Sequence, residues 1–102
     1  MNQILYKCKE LLKNYYGDQF QGLIVYGSTV RKTAEPSSDI DLLVLLSKPF
    51  NYFQELRRIT DLLYPVQLES EQLISAKPAA VDEFESGQIH LYRNAKREGV
   101  AV

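Results

Sequence analysis

Apolar residues at Ile4, Leu5, Cys8, Leu11, Leu12 and Tyr15 recur in three- and four-residue steps, and this period predicts an amphipathic helix over residues 2–16 that stops at Gly17. The pattern then changes. "GLIVYG", residues 22–27, is a short run of β-formers bracketed by glycines and predicts a buried strand. "IDLLVLLS", residues 40–47, predicts a second. Its unbroken apolar stretch from Leu42 to Leu46 implies cover on both faces, hence a central place in a sheet backed by helices.

Helical spacing returns in "NYFQELRRITDLLY" through Phe53, Leu56, Ile59, Leu62 and Leu63, with Pro65 expected to end or kink the helix. The segment that follows, residues 66–81, divides two ways: part extends the helix, or "EQLISAKP" forms a third strand. "VDEFESG" reads as a helical turn, "IHLYRNAKREG" as a last helix and "VAV" as a closing apolar tail. The order α-β-β-α-β-α describes a small α/β (α+β) protein, a mixed sheet packed by helices, expected as one domain over residues 1–102.

Composition narrows the classes. The chain has 102 residues, 45% hydrophobic and 25% charged, which is ordinary for a globular domain and unlike disordered or fibrous sequences. Twelve basic against thirteen acidic residues give a formal net charge of -1, so non-specific nucleic-acid binding has no electrostatic drive. Lys7, Lys9, Glu10 and Lys13 fall inside what would have to be a signal peptide's apolar region, so none is expected, and no run is long enough for a membrane span; a cytoplasmic protein is expected. Cys8, the single cysteine, is expected to fill core volume beside Leu5 and Leu12. Tyr15, Tyr16, Tyr52, Tyr64, Tyr92, Phe50, Phe53 and Phe84 fit apolar helical stripes and are expected mostly in the core. His90, the only histidine, is expected at the surface, and Arg57, Arg58, Arg93, Lys96 and Arg97 on solvated helix faces.

The candidate chemistry lies in "VYGSTVRKTAEPSSDIDLLVLL", residues 25–46. Asp39 and Asp41 stand two apart at the mouth of the second strand, so they share a face while Ile40 points to the other. Two ionised carboxylates converging there repel one another and lose hydration, and a divalent cation compensates for both. Mg²⁺ is commonly shared between one or two carboxylates and substrate phosphates, and this pair is the protein half of such a site. Upstream, Gly27 and Ser28 follow the first strand directly, where glycine permits a sharp turn and close approach to a phosphate.

Gly27, Ser28, Asp39 and Asp41 resemble the G-S-x10-D-x-D signature of the DNA polymerase β-like nucleotidyltransferase superfamily, and more narrowly the minimal nucleotidyltransferase domain proteins often encoded beside a small all-helical HEPN protein. The resemblance implies the polymerase β-like nucleotidyltransferase fold, with Gly27 and Ser28 holding the triphosphate of ATP and Asp39 and Asp41 ligating Mg²⁺. Arg31 matches an arginine that supports the loop or the phosphates, and Lys32 departs from the glycine common there. It further implies transfer of AMP to a hydroxyl, a tyrosine of a HEPN toxin partner, which would make the chain an antitoxin. Active members also carry an acidic residue on the next strand. If that strand is "VQLE", Gln67 takes the acid's place; if it starts later, Glu69 or Glu71 is the candidate. A module that neutralises its partner by binding alone is the alternative.

Overall fold

The computed structural model of the protein describes residues 2–27 and 39–102. Helix α1, Asn2–Tyr16, ends at Gly17, whose φ of +58° is left-handed backbone suited to a helix stop. A short 3-10 turn leads to strand β1, Phe20–Tyr26, and then come β2, Ile40–Leu46, α2, Tyr52–Glu69, and β3, Ile74–Ala80. Helices α3, Val81–Ser86, and α4, His90–Glu98, precede strand β4, Val100–Ala101.

The described strands form one mixed sheet in the order β3-β2-β1-β4. β1 runs antiparallel to β2 and β4, while β2 and β3 are parallel, with α2 as the crossover. As the apolar run of β2 requires, that strand is interior and covered on both sides. Its even-numbered residues, with Ile40, Leu42, Val44 and Leu46, pack with α1 and α2 through Leu5, Cys8, Leu12, Ile59, Leu63 and Val66. Its odd-numbered Leu43 and Leu45 pack on the other face with Ala79, Phe84, Tyr92 and Ala95. The fold is thus three layers: α1 and α2, the sheet, then the shorter α3 and α4.

Several expectations need correction. Pro65 does not end the second helix, which continues to Glu69 because Leu63 and Val66 on either side of it are buried against the sheet, and Pro65 itself faces solvent. Burial of the apolar stripe outweighs the backbone bond that proline forfeits. Gln67 and Glu69 therefore lie on α2, not on a strand. Gln67 ties the helix end to β3: its Oε1 accepts from Ile74 N at 2.7 Å and its Nε2 donates to Gln72 O at 3.0 Å. Glu69 pairs with Lys7 on α1 at 2.9 Å. The apolar tail is a strand, β4, beside β1. Of the aromatics expected in the core, Tyr16, Phe84 and Tyr92 are buried, but Tyr15, Tyr52, Tyr64 and Phe53 are exposed, the last at 76%.

Cys8 is fully buried and its thiol is pushed up to about 11 by burial, consistent with space-filling and with no nucleophilic role at neutral pH. His90 is exposed at the start of α4. Among the described residues no helix is long and apolar enough to cross a membrane.

A polar cluster centred on the buried Glu55 joins α1 to α2. The Tyr16 hydroxyl donates to Glu55 Oε1 at 2.8 Å, Arg58 lies 3.7 Å from Glu55 Oε2, and the Arg58 guanidinium sits 5.4 Å from the centre of the Tyr15 ring. Burial, then the bond to Glu55, raise the Tyr16 phenol well above its ordinary value. A raised phenol contributes stability that is complete below the unfolded value of about 10 and is lost as pH rises, because the unfolded chain then releases a proton that the folded one holds. Tyr16→Phe should lower stability by about 1–2 kcal/mol at neutral pH through the lost hydrogen bond to a carboxylate. Urea denaturation should show that deficit constant up to about pH 10 and narrowing as pH rises above it; a deficit independent of pH would contradict this assignment.

The outer edge of β3 also has a definite character. Ile40 N donates to Leu73 O at 2.8 Å, so Leu73 directs its polar backbone groups inward to β2. By strand alternation Ser75, Lys77 and Ala79 do the same, leaving the nitrogen of Pro78 on the outward side.

Candidate active site

β1 and β2 bring together three of the predicted residues. Gly27 follows β1 immediately, with φ +80°, a conformation open to glycine and strained for other residues. Asp41 pairs across the ladder with Tyr26, one residue before that turn. The two meet closely: a Cβ placed on Gly27 would lie 2.5 Å from Asp41 Oδ2. The absent side chain therefore makes the cradle in which this carboxylate sits. Asp39 precedes β2 and is exposed, whereas Asp41 is half-buried. Ile40 between them is 2% exposed and belongs to the opposite face, so the two carboxylates share the α3/α4 side, as the two-residue spacing requires. Ser28 and Arg31 lie outside the described residues, as does Lys32.

β3 supplies the neighbouring groups. Ser75 is the register partner of Asp41, and Lys77 is that of Leu43, so both belong to the Asp41 face. Neither is acidic. Glu71 is exposed in the turn before β3, at the same end of the sheet as Asp39, and Glu69 points to α1. Among the described residues no group of three or more His, Cys, Asp or Glu is arranged to hold a metal ion. Two carboxylates suffice for Mg²⁺ when phosphate oxygens and water complete its shell, so the donor set fits a cation shared with a nucleotide. Sequence reasoning missed Lys77, although the alternation of "ISAKPAA" against "IDLLVLL" carries the signal once the parallel pairing is known.

Aromatic groups extend the site along the same face. Burial, followed by the charge of Asp41 and the nearby phenols of Tyr52 and Tyr92, raises the Tyr26 phenol. Tyr92 is likewise raised, first by burial and then by Tyr52 and Glu83. These rings lead to a cleft of about 330 Å³ bounded by Phe50, Tyr52, Pro78, Glu83 and Tyr92. Its walls suit a planar ring, with Glu83 available as an acceptor at the rim. Lys48 also borders it, 3.1 Å from Glu83 and 3.4 Å from Asp82.

The nucleotidyltransferase domain family matches residues 3–100, nearly the whole chain. This protein belongs to that family. Among solved structures the nucleotidyltransferase is similar, at 19% identity and a TM-score of 0.73, to spectinomycin adenyltransferase AAD(9) from Enterococcus faecialis, crystallised with ATP and spectinomycin. All of this chain is covered, but only 55% of the adenyltransferase, so it spans about half the length of that protein. A putative nucleotidyltransferase from Sulfolobus solfataricus matches at 14% identity and a TM-score of 0.60, over 97% of this chain and 76% of the other. A toxin-antitoxin structure with AMP-PNP matches at 15% identity and a TM-score of 0.53, over 93% and 69% of the respective chains. At these identities the likeness establishes the fold. No curated protein matches by sequence.

Proposed function

We propose that this nucleotidyltransferase moves AMP from ATP to a hydroxyl acceptor, a tyrosine on a HEPN-type toxin partner, and so acts as an antitoxin. The observation that carries the reading is the Asp41 carboxylate seated against the Gly27 turn, with Asp39 beside it on the same face. The adenyltransferase and toxin-antitoxin neighbours support the two halves of the proposal, nucleotide chemistry and a protein partner.

In this reading Gly27 and Ser28 hold the triphosphate, Arg31 supports it, and Asp39 and Asp41 would hold Mg²⁺. When bound, the ion neutralises phosphate charge and polarises the phosphorus under attack. The acceptor oxygen bonds to the α-phosphorus while the bond from that phosphorus to the bridging oxygen breaks. Its electron pair leaves with pyrophosphate, and the hydroxyl proton passes to solvent. The chain's own contribution is positioning: the ladder fixes Asp41, and the Gly27 turn lets the phosphates approach it without a side chain between them.

A module that neutralises its partner by contact alone is the second reading, favoured by Ser75 and Lys77 standing on β3 without an acid. Intact mass spectrometry of the chain and its co-purified partner, before and after incubation with ATP and Mg²⁺, separates the two. One or more AMP additions on the partner are expected. A stable, neutralised complex with no mass gain would replace the enzymatic reading with the contact one.

A further inference from the structure

Lys77 occupies an unusual position on β3. The parallel register pairs it with Leu43, two residues beyond Asp41 on the same side of the sheet. Strands about 4.8 Å apart and a rise of about 3.3 Å per residue put the two Cα atoms about 8 Å apart, within the combined reach of a lysine and an aspartate. Lys77 is half-buried, and among the described residues it forms no ion pair, whereas other lysines of the surface, such as Lys7, Lys48 and Lys96, each have a carboxylate within 3.4 Å. A half-buried lysine on the face that carries Asp41, with no ion pair among the described residues, is suited to an anionic ligand.

Ligand count points the same way. A second divalent cation, about 4 Å from the first, would need further oxygen ligands. On the strand beside Asp41 the available side chains on that face are the Ser75 hydroxyl and the Lys77 ammonium. The ammonium repels a second cation and contributes none of the oxygens it would need.

We propose that this is a one-metal site, in which Lys77 takes the place of a second cation and donates to a non-bridging oxygen of the α-phosphate. The inference deepens the nucleotidyltransfer reading and rests on it. Charge accumulating on the phosphoryl oxygens is then met by one divalent ion from the Asp39/Asp41 side and one fixed monovalent charge from β3. The contact strengthens as the reaction proceeds, so its loss should fall on turnover more than on nucleotide binding.

The test combines metal stoichiometry with kinetics. Mn²⁺ binding followed by electron paramagnetic resonance, with saturating α,β-methylene-ATP, should give one ion per wild-type chain and two for Lys77→Glu, which supplies the missing carboxylate. Lys77→Met should slow AMP transfer about 100-fold, the scale expected for one lost charge-stabilising donor, with KM for ATP changed less than about threefold. Lys77→Arg should recover at least about a tenth of the wild-type rate, since charge and donors are kept. Two Mn²⁺ in the wild type, one in Lys77→Glu, or Lys77→Met turning over at the wild-type rate would each overturn the proposal. Those outcomes leave nucleotidyl transfer intact. A wild-type chain that neither binds Mn²⁺-nucleotide nor transfers AMP removes the nucleotidyltransfer reading itself, and the role of Lys77 with it.

Discussion

Replacement of Asp41 by asparagine should reduce AMP transfer by at least about 10³-fold while leaving the fold in place. The expected size follows from the role proposed for the side chain: it would hold the ion that neutralises the reacting phosphate, and an amide of the same shape keeps the packing but supplies no charge. Stability should change little, because Asn has the same shape as Asp against Gly27. Asp39→Asn should have the smaller effect of the two, since Asp39 precedes the strand and is exposed whereas Asp41 is held within the ladder. Time-resolved mass spectrometry of the partner measures both rates. Transfer by Asp41→Asn at the wild-type rate would disprove the role given to this site.

The second large effect is expected at Gly27. Gly27→Ala forces an L side chain into left-handed backbone, at about 1–2 kcal/mol, and places its Cβ 2.5 Å from Asp41 Oδ2. The carboxylate must move. A displacement of about 1 Å at a reacting centre can cost about 100-fold in rate, so this variant should lose both stability and turnover. Gly17→Ala is the matching control, with φ +58° but nothing within 4 Å of the added carbon. It should cost about 1 kcal/mol and leave AMP transfer unchanged. Thermal denaturation and transfer rate, read together, distinguish a cradle for Asp41 from a turn that is merely tight: equal losses of activity in the two variants would leave the cradle without support.

The elements that the sequence revealed most clearly are those whose periodicity and burial agree. α1, β1 and β2 follow the predicted bounds closely because their apolar spacing is the spacing of the packed faces. The region after Pro65 did not resolve from sequence for a physical reason. Proline argues locally against helix, but the burial of Leu63 and Val66 is a tertiary contribution that no local rule contains. The same ambiguity blurred the bounds of β3, expected within "EQLISAKP" and found at Ile74–Ala80, because "ISAKPAA" is short of β-branched residues and takes its conformation from pairing with β2. Of the positions expected for a third acid, Gln67 and Glu69 are carried away from the strand by the extended helix and Glu71 lies in the turn before β3, while the register neighbour of Asp41 is Ser75.

The exposed tyrosines and Phe53 show the opposite limit. Helical spacing identifies a stripe, but α1 and α2 lie side by side on one face of the sheet, and residues at the margins of their stripes remain outside. For the candidate site, the Gly27, Asp39 and Asp41 arrangement was legible because strand alternation fixes the face of a D-x-D pair. The Lys77 position was not, since it depends on which strand lies next to β2 and in which direction.

Pro78 bears on how the protein meets other chains. With its nitrogen turned outward, the free margin of β3 lacks a hydrogen-bond donor midway along its length. An incoming segment could not zip onto that margin in register without leaving an acceptor unmatched, so the sheet is guarded there against endless self-addition and amyloid-like stacking. Strand addition at the β3 margin is disfavoured by the same atom, which leaves the opposite margin at β4, the helices and the loops to receive another chain.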